Sequence, residues 1–273
     1  MLKENTIDFL LYSYFGVSLN DLSQKKECEI IEICAQKAYG DLCRTLEFAN
    51  STTNVKGKEK AAIEADHRKF CNAMCGRIRE EIEKLLDDPA GKASPNGFDL
   101  WHKGACQVIM KQADQSNALA DNPDGEGKIF YCGQAQKWLN MTLKYMWLLG
   151  LWEDQFEALL PVLHVPVDRY IIQAVWEEDE EIEVPMPVLI STKDAENDEE
   201  SIKEIIRKKR RAGRGDKRAD EKVLSWSRWT EREYKPFQEA LREWCKSRAK
   251  VFKTPLEWES SAWIRVAREK SLQ

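Results

Sequence analysis

Apolar residues return every three to four positions through most of this chain, the period of a helix with one face turned inward. Ile30, Ile31, Cys34, Ala38 and Leu42 form one such stripe and predict a long helix over residues 23–48, after a short apolar one over 3–16. A polar break at 50–57 leads into a strongly charged helix over 59–86, which Asp88-Pro-Ala-Gly91 ends. Ser94-Pro-Asn-Gly97 reads as a turn cluster, so Phe98 opens the next helix, to about residue 117. A sharp loop over 121–127 delivers Lys128-Ile-Phe-Tyr-Cys-Gly133 to the most hydrophobic helix, over 134–149. Trp138, Met141, Tyr145 and Leu149 share one face of it, and Lys137, Asn140 and Lys144 make another stripe.

Shorter elements follow. A helix over 153–160 stops at Pro161, and Pro166 suits the entry to another over 168–176, with Asp168 in its first turn or at its cap. Residues 183–190 are the one extended segment, and their prolines keep it from being a central strand. A helix over 201–211 is broken by Ala212-Gly-Arg-Gly215. Thr230 with Glu233, and Thr254-Pro255 with Glu257, are capping signatures that place helices at 231–247 and 255–270. Pro236 is expected to strain or shorten the first of these. The fold class is therefore all-α: many helices around a central apolar one, in an N-terminal region (1–120), a central region (121–200) and a C-terminal region (201–273).

With 273 residues and 42% hydrophobic content, the chain has material for one large core or two modest domains. No stretch reads as a membrane span, and Met1-Leu-Lys-Glu-Asn5 lacks the features of a secretory leader, so a cytoplasmic location is expected. The eight cysteines fall mostly inside helical patterns and read as reduced, buried small hydrophobes. A net charge of −5 hides a segregation. Eleven acidic residues and one lysine lie between Glu177 and Glu200; eight basic residues, Arg207, Lys208, Lys209, Arg210, Arg211, Arg214, Lys217 and Arg218, follow with one aspartate. A local patch of this kind sets phosphate binding, whatever the whole-chain total. It also reads as a solvated helix end answering the acidic run.

Lys137 and Asp168 are the pair with chemistry. A carboxylate stabilises the positive charge that develops on deoxyribose as a base departs, and an amine can attack C1′ to give a covalent intermediate. Asp168 at a helix start keeps its charge, whereas Lys137 needs apolar surroundings, which Tyr131, Trp138 and Met141 offer. Gly133-Gln-Ala-Gln-Lys137, followed by Val165-Pro-Val-Asp168 on a helical background, resembles the helix-hairpin-helix superfamily of DNA glycosylases, above all the bifunctional members that remove oxidised bases. The likeness covers residues 130–172. It implies a glycosylase-like fold with an interdomain cleft, Lys137 as Schiff-base nucleophile and Asp168 as its activating carboxylate, with DNA as partner in repair or in attack on foreign DNA. The family's hairpin usually reads like Leu-Pro-Gly-Val-Gly, where this chain has Ile129-Phe-Tyr-Cys-Gly133. The iron–sulfur cysteine spacing of some relatives is absent, so no cofactor is implied.

Other readings stay open. Lys137, Asn140 and Lys144 also fit an ordinary wet stripe, and Asp168 an ordinary cap. Gln134, Gln136 and His164 are candidates for contacting a base, and Trp226 and Trp258 for stacking on it, although most of the ten tryptophans fit packing better. Trp229, Phe237, Leu241 and Trp244 fit one buried face. His67, Cys71 and Cys75 at successive four-residue steps, and His102 with Cys106, have metal-ligand spacing, yet one long helical face chelates poorly and no metal site is expected. The alternatives to a glycosylase, with a monomer favoured, are a non-enzymatic helical nucleic-acid binder using the basic segment and a protein-interaction scaffold using the acidic one.

Overall fold

The structure is a computed structural model that describes residues 4–53, 55–123, 126–177, 225–248 and 250–271. Among these every regular element is helical, and β pairing is confined to two isolated antiparallel bridges, Phe48 with Leu119 and Asp121 with Lys128. The all-α expectation holds. The extended segment at 183–190, the helix at 201–211, the acidic run beyond Glu177 and the basic residues from Arg207 to Arg218 lie outside the described residues. Among the described residues no helix is long and apolar enough to cross a membrane.

The chain divides into two compact units. The first comprises Met1–Phe130 and Ala135–Leu159, and the second Tyr131–Gln134 and Leu160–Gln273. In the first, α1 (Glu4–Phe15), α2 (Leu19–Gln24), α3 (Glu27–Leu42), α4 (Gly57–Asp87), α5 (Pro89–Lys92) and α6 (Pro95–Asp114) precede α7 (Cys132–Leu148) and α8 (Glu153–Leu159). The α3 stripe, including Ile31, Cys34, Ala38 and Leu42, is buried where α3 packs along α4. Phe70, Met74, Ile78 and Ile82, at steps of four on α4, are buried with it. Burial pushes the Cys34 thiol up to about 12, so this cysteine is an inert small hydrophobe.

Two boundaries differ from the sequence expectation for identifiable reasons. The helix expected over 23–48 is shorter and interrupted: a reciprocal Ser18–Asp21 capping box starts the separate α2, Lys25 and Lys26 are extended before α3 begins, and α3 ends at Leu42, ahead of the Phe48–Leu119 bridge. Ser94 and Pro95, read as part of a turn, are the cap and first residue of α6, the Ser94 hydroxyl accepting from the Gly97 amide at 3.1 Å.

From Cys132 to Leu143, α7 is buried on every side, as a helix central to a core must be. The Trp138 indole donates to the Ala35 carbonyl at 2.8 Å, tying α7 to α3. Near its other end the Tyr145 hydroxyl donates to Asp41 at 2.6 Å and lies 2.7 Å from that of Tyr14. Burial first, then the bond to Asp41, pushes the Tyr145 phenol well above its ordinary range. This fastens one end of α1, while Phe9 and Tyr12 on the same helix are 69% and 63% exposed. Gly150, with φ +67°, closes α7 in the left-handed conformation that glycine adopts at little cost.

In the second unit, α9 (Arg169–Glu177) packs on α11 (Pro255–Ser271), and α10 (Glu231–Ser247) also meets α11. Both halves of the Thr230–Glu233 capping box are made. Pro236 does not shorten α10, which continues to Ser247. The carbonyl it leaves without a helical donor is that of Arg232, an exposed residue whose backbone water can reach. Trp229 meets Phe237 edge-on at 5.2 Å, and Trp258 meets Trp244 at 5.5 Å.

Candidate functional site

The interior of α7 is unusually polar. Gln134, Gln136, Lys137, Asn140 and Thr142 are all buried, and Lys137 is only 3% exposed between the buried Trp138 and Met141. The wet-stripe reading therefore fails for Lys137 and Asn140. Long cationic side chains reach the core so seldom that burial itself marks Lys137 for attention.

A directed chain of hydrogen bonds leads to its neighbour on α7. The His102 Nε2 donates to Asn140 Oδ1 at 2.9 Å, and Asn140 Nδ2 donates to Gln136 Oε1 at 3.0 Å. This leaves His102 Nδ1 to accept from the Cys106 thiol, 3.7 Å away. His102 thus joins α6 to α7, with Cys106 of its own helix against its ring. Gln134 bonds the helix start, its Oε1 accepting from the Tyr131 amide at 2.9 Å.

Gly133 explains itself by close approach. Its amide donates to the Trp229 carbonyl at 2.9 Å, and a Cβ placed there would lie 1.8 Å from the Trp226 carbonyl oxygen. No other side chain fits. The half-buried Trp226 is thereby held, through its backbone, against the first turn of α7, next to Gln134.

Asp168 is set by the local chain path in the second unit. Residues 162–167 run buried into α9, and Pro166 among them needs no hydrogen-bond acceptor. Asp168 caps α9, its Oδ1 accepting from the Tyr170 and Ile171 amides at 2.8 and 3.0 Å. Its Oδ2 accepts from the Trp263 indole at 3.3 Å, and Trp263 lies 5.2 Å from the Tyr170 ring. The carboxylate is thus half-exposed and aimed by three N–H donors.

One face of α10 grips the segment leading to Asp168. Tyr234, Gln238 and Arg242 follow at steps of four, so they project from the same side. The Gln238 amide bonds Val165 twice, accepting from its N–H at 3.0 Å and donating to its carbonyl at 2.8 Å. Arg242 can only donate, so its 3.0 Å contact makes His164 Nε2 the acceptor; the ring proton then sits on Nδ1, donated to the Tyr234 hydroxyl at 2.9 Å. Gln238→Leu, which conserves volume, should leave both Val165 groups buried without these partners. A loss of about 2–3 kcal/mol is expected, read as a lower urea midpoint at unchanged slope.

No family model matches the chain, and neither a curated protein nor a solved structure does.

Gln136 and Lys137 belong to the first unit; Gln134, His164, Asp168, Trp226 and Trp258 belong to the second. Trp258 is completely buried and forms part of the core. All eight cysteines are free thiols, and no group of three or more potential ligands that could hold a metal ion occurs among the described residues. Two features escaped sequence reasoning. The His102–Asn140–Gln136 chain joins helices distant in sequence, and its only signal is a pair of amides, Gln136 and Asn140, at helical spacing. The Tyr234, Gln238 and Arg242 stripe is masked by the larger aromatic face of the same helix, though its regular four-residue step is visible.

Proposed function

We propose that the protein is a DNA glycosylase with lyase activity, which removes a damaged or modified base through Lys137 with the help of Asp168. The observation that carries this reading is Lys137 itself, an amine 3% exposed within the Cys132–Leu143 stretch of α7, which is buried all round. Its neighbours Gln136 and Asn140 are oriented by hydrogen bonds before any substrate arrives, which is the rigidity that a reacting group requires.

In the reaction, the Lys137 nitrogen forms a bond to C1′ as the N-glycosidic bond breaks, and the base leaves with the bonding electrons and takes up a proton. Loss of the amine's proton and opening of the sugar ring give a Schiff base, from which strand scission follows. The Asp168 carboxylate, whose charge the start of α9 favours, opposes the positive charge that develops on the sugar. The base must leave the helical stack to react. The basic segment from Arg207 to Arg218 supplies phosphate attraction in this reading.

Borohydride reduction during turnover is the direct test. The protein, incubated with a panel of duplexes carrying oxidised, alkylated or deaminated bases, is expected to become covalently attached to one of them. Absence of both adduct and abasic product across the panel rejects the proposal. Salt-sensitive binding that survives loss of both side chains, with no base released, would make the protein a non-enzymatic nucleic-acid binder instead.

A further inference from the structure

A second cluster of reactive side chains lies on α4, and the proposed glycosylase chemistry makes no use of it. Cys71 and Cys75 stand one turn apart with their sulfurs 4.0 Å from each other. Cys75 is 1% exposed, whereas Cys71 is half-buried and offers a way in from solvent. The Cys75 thiol hydrogen-bonds to Cys71 and holds the latter below the usual thiol range; the same bond, then burial, pushes Cys75 up. Tyr39 is raised mainly by burial and then by Cys71, Cys43 and Cys75, which puts a third thiol within electrostatic reach. His67, one turn before Cys71, is engaged elsewhere: its Nε2 lies 3.2 Å from the Asn50 carbonyl and its ring stacks on Phe48 at 3.8 Å.

We propose that Cys71 and Cys75 form a two-sulfur site for a soft, thiophilic cation of the copper(I) class. A metal–sulfur bond of about 2.3 Å lets two sulfurs flank one ion at any separation up to about 4.6 Å. The observed 4.0 Å already satisfies that limit. A disulfide, by contrast, needs the sulfurs about 2.05 Å apart, which one turn of an intact helix resists. The number of ligands chooses the ion. Structural zinc takes four side chains and calcium six to eight oxygens, while among the described residues no third His, Cys, Asp or Glu completes the pair. Two thiolates alone suit copper(I), which soft sulfur ligands select. On binding, each thiol releases its proton to solvent and forms one metal–sulfur bond, with no change of oxidation state.

The test uses the reduced full chain under anaerobic conditions. One equivalent of copper(I) is offered against a competing chelator, and phenylarsine oxide, which needs two adjacent thiols, is added to a separate sample read by intact mass. Wild type is expected to retain one copper ion and to gain one phenylarsenic group. Cys71→Ser and Cys75→Ser should each weaken copper retention more than about tenfold and abolish the arsenical adduct. Cys28→Ser, at another part-exposed cysteine, should change neither. Retention undiminished in both Cys71→Ser and Cys75→Ser overturns the proposal. So does arsenical uptake without copper retention, and so does the absence of both from wild type.

Discussion

Protein carrying Lys137→Gln is expected to form no borohydride-stable adduct with any duplex, and to release base at least about 1000-fold more slowly than wild type. Glutamine keeps a polar side chain only one atom shorter at this buried position but has no nucleophilic nitrogen. Asp168→Asn provides the second arm. Asparagine caps helices about as well as aspartate, so the bonds from Tyr170 and Ile171 to Oδ1 survive and α9 should stay formed. What is removed is the charge, together with the long, exposed bond from the Trp263 indole to Oδ2. Base release should therefore fall about 100- to 1000-fold, the usual effect of deleting one electrostatic stabiliser, while the melting temperature stays close to that of wild type. A parallel fall in activity and melting temperature in both variants would assign the two residues to packing alone.

Among the described glycines, Gly133→Ala should produce the largest loss of stability of any alanine substitution, at least about 3 kcal/mol. Its Cβ would lie 1.8 Å from a backbone oxygen, and a backbone oxygen cannot swing aside as the end of a side chain can. Relief requires moving the Trp226–Arg228 turn or the start of α7, and with it the bond from Gly133 to Trp229. Gly40→Ala and Gly104→Ala are the controls. Both glycines lie within helices and would meet nothing within 4 Å, so the added methyl should stabilise by about 0.5–1 kcal/mol. Opposite signs in chemical denaturation would separate close approach from backbone entropy; a mild effect at Gly133 would show that the turn yields.

Local signals are legible in the sequence. The centrality of α7 follows from its apolar period, the placing of Asp168 from the proline before an amphipathic run, and the start of α10 from Thr230 and Glu233. Each depends on residues within a turn or two. What is not legible depends on residues far along the chain. Whether Lys137 faces water or core is decided by what covers its helix, and periodicity assigns it to a polar stripe in either case. Gly133 stands where the family's hairpin ends in glycine, and nothing nearby discloses that the Trp226 carbonyl will press on it. His164 likewise acquires its tautomer from Tyr234 and Arg242, which belong to another helix. The break at Lys25 and Lys26 is hidden because the polar run Ser23–Glu27 contains neither proline nor glycine and reads as a solvated first turn.

The second unit borrows Tyr131–Gln134 from the middle of the chain, and Gly133 in that loan makes a backbone bond to Trp229. Neither half is therefore encoded as one uninterrupted stretch of gene. A fragment beginning at Leu160 would be expressed with the Trp229 carbonyl lacking its donor, and one ending at Leu159 would carry a helix start meant for the other half. Limited proteolysis and split-reporter designs on this protein should expect cleaved pieces to misfold unless they are supplied together.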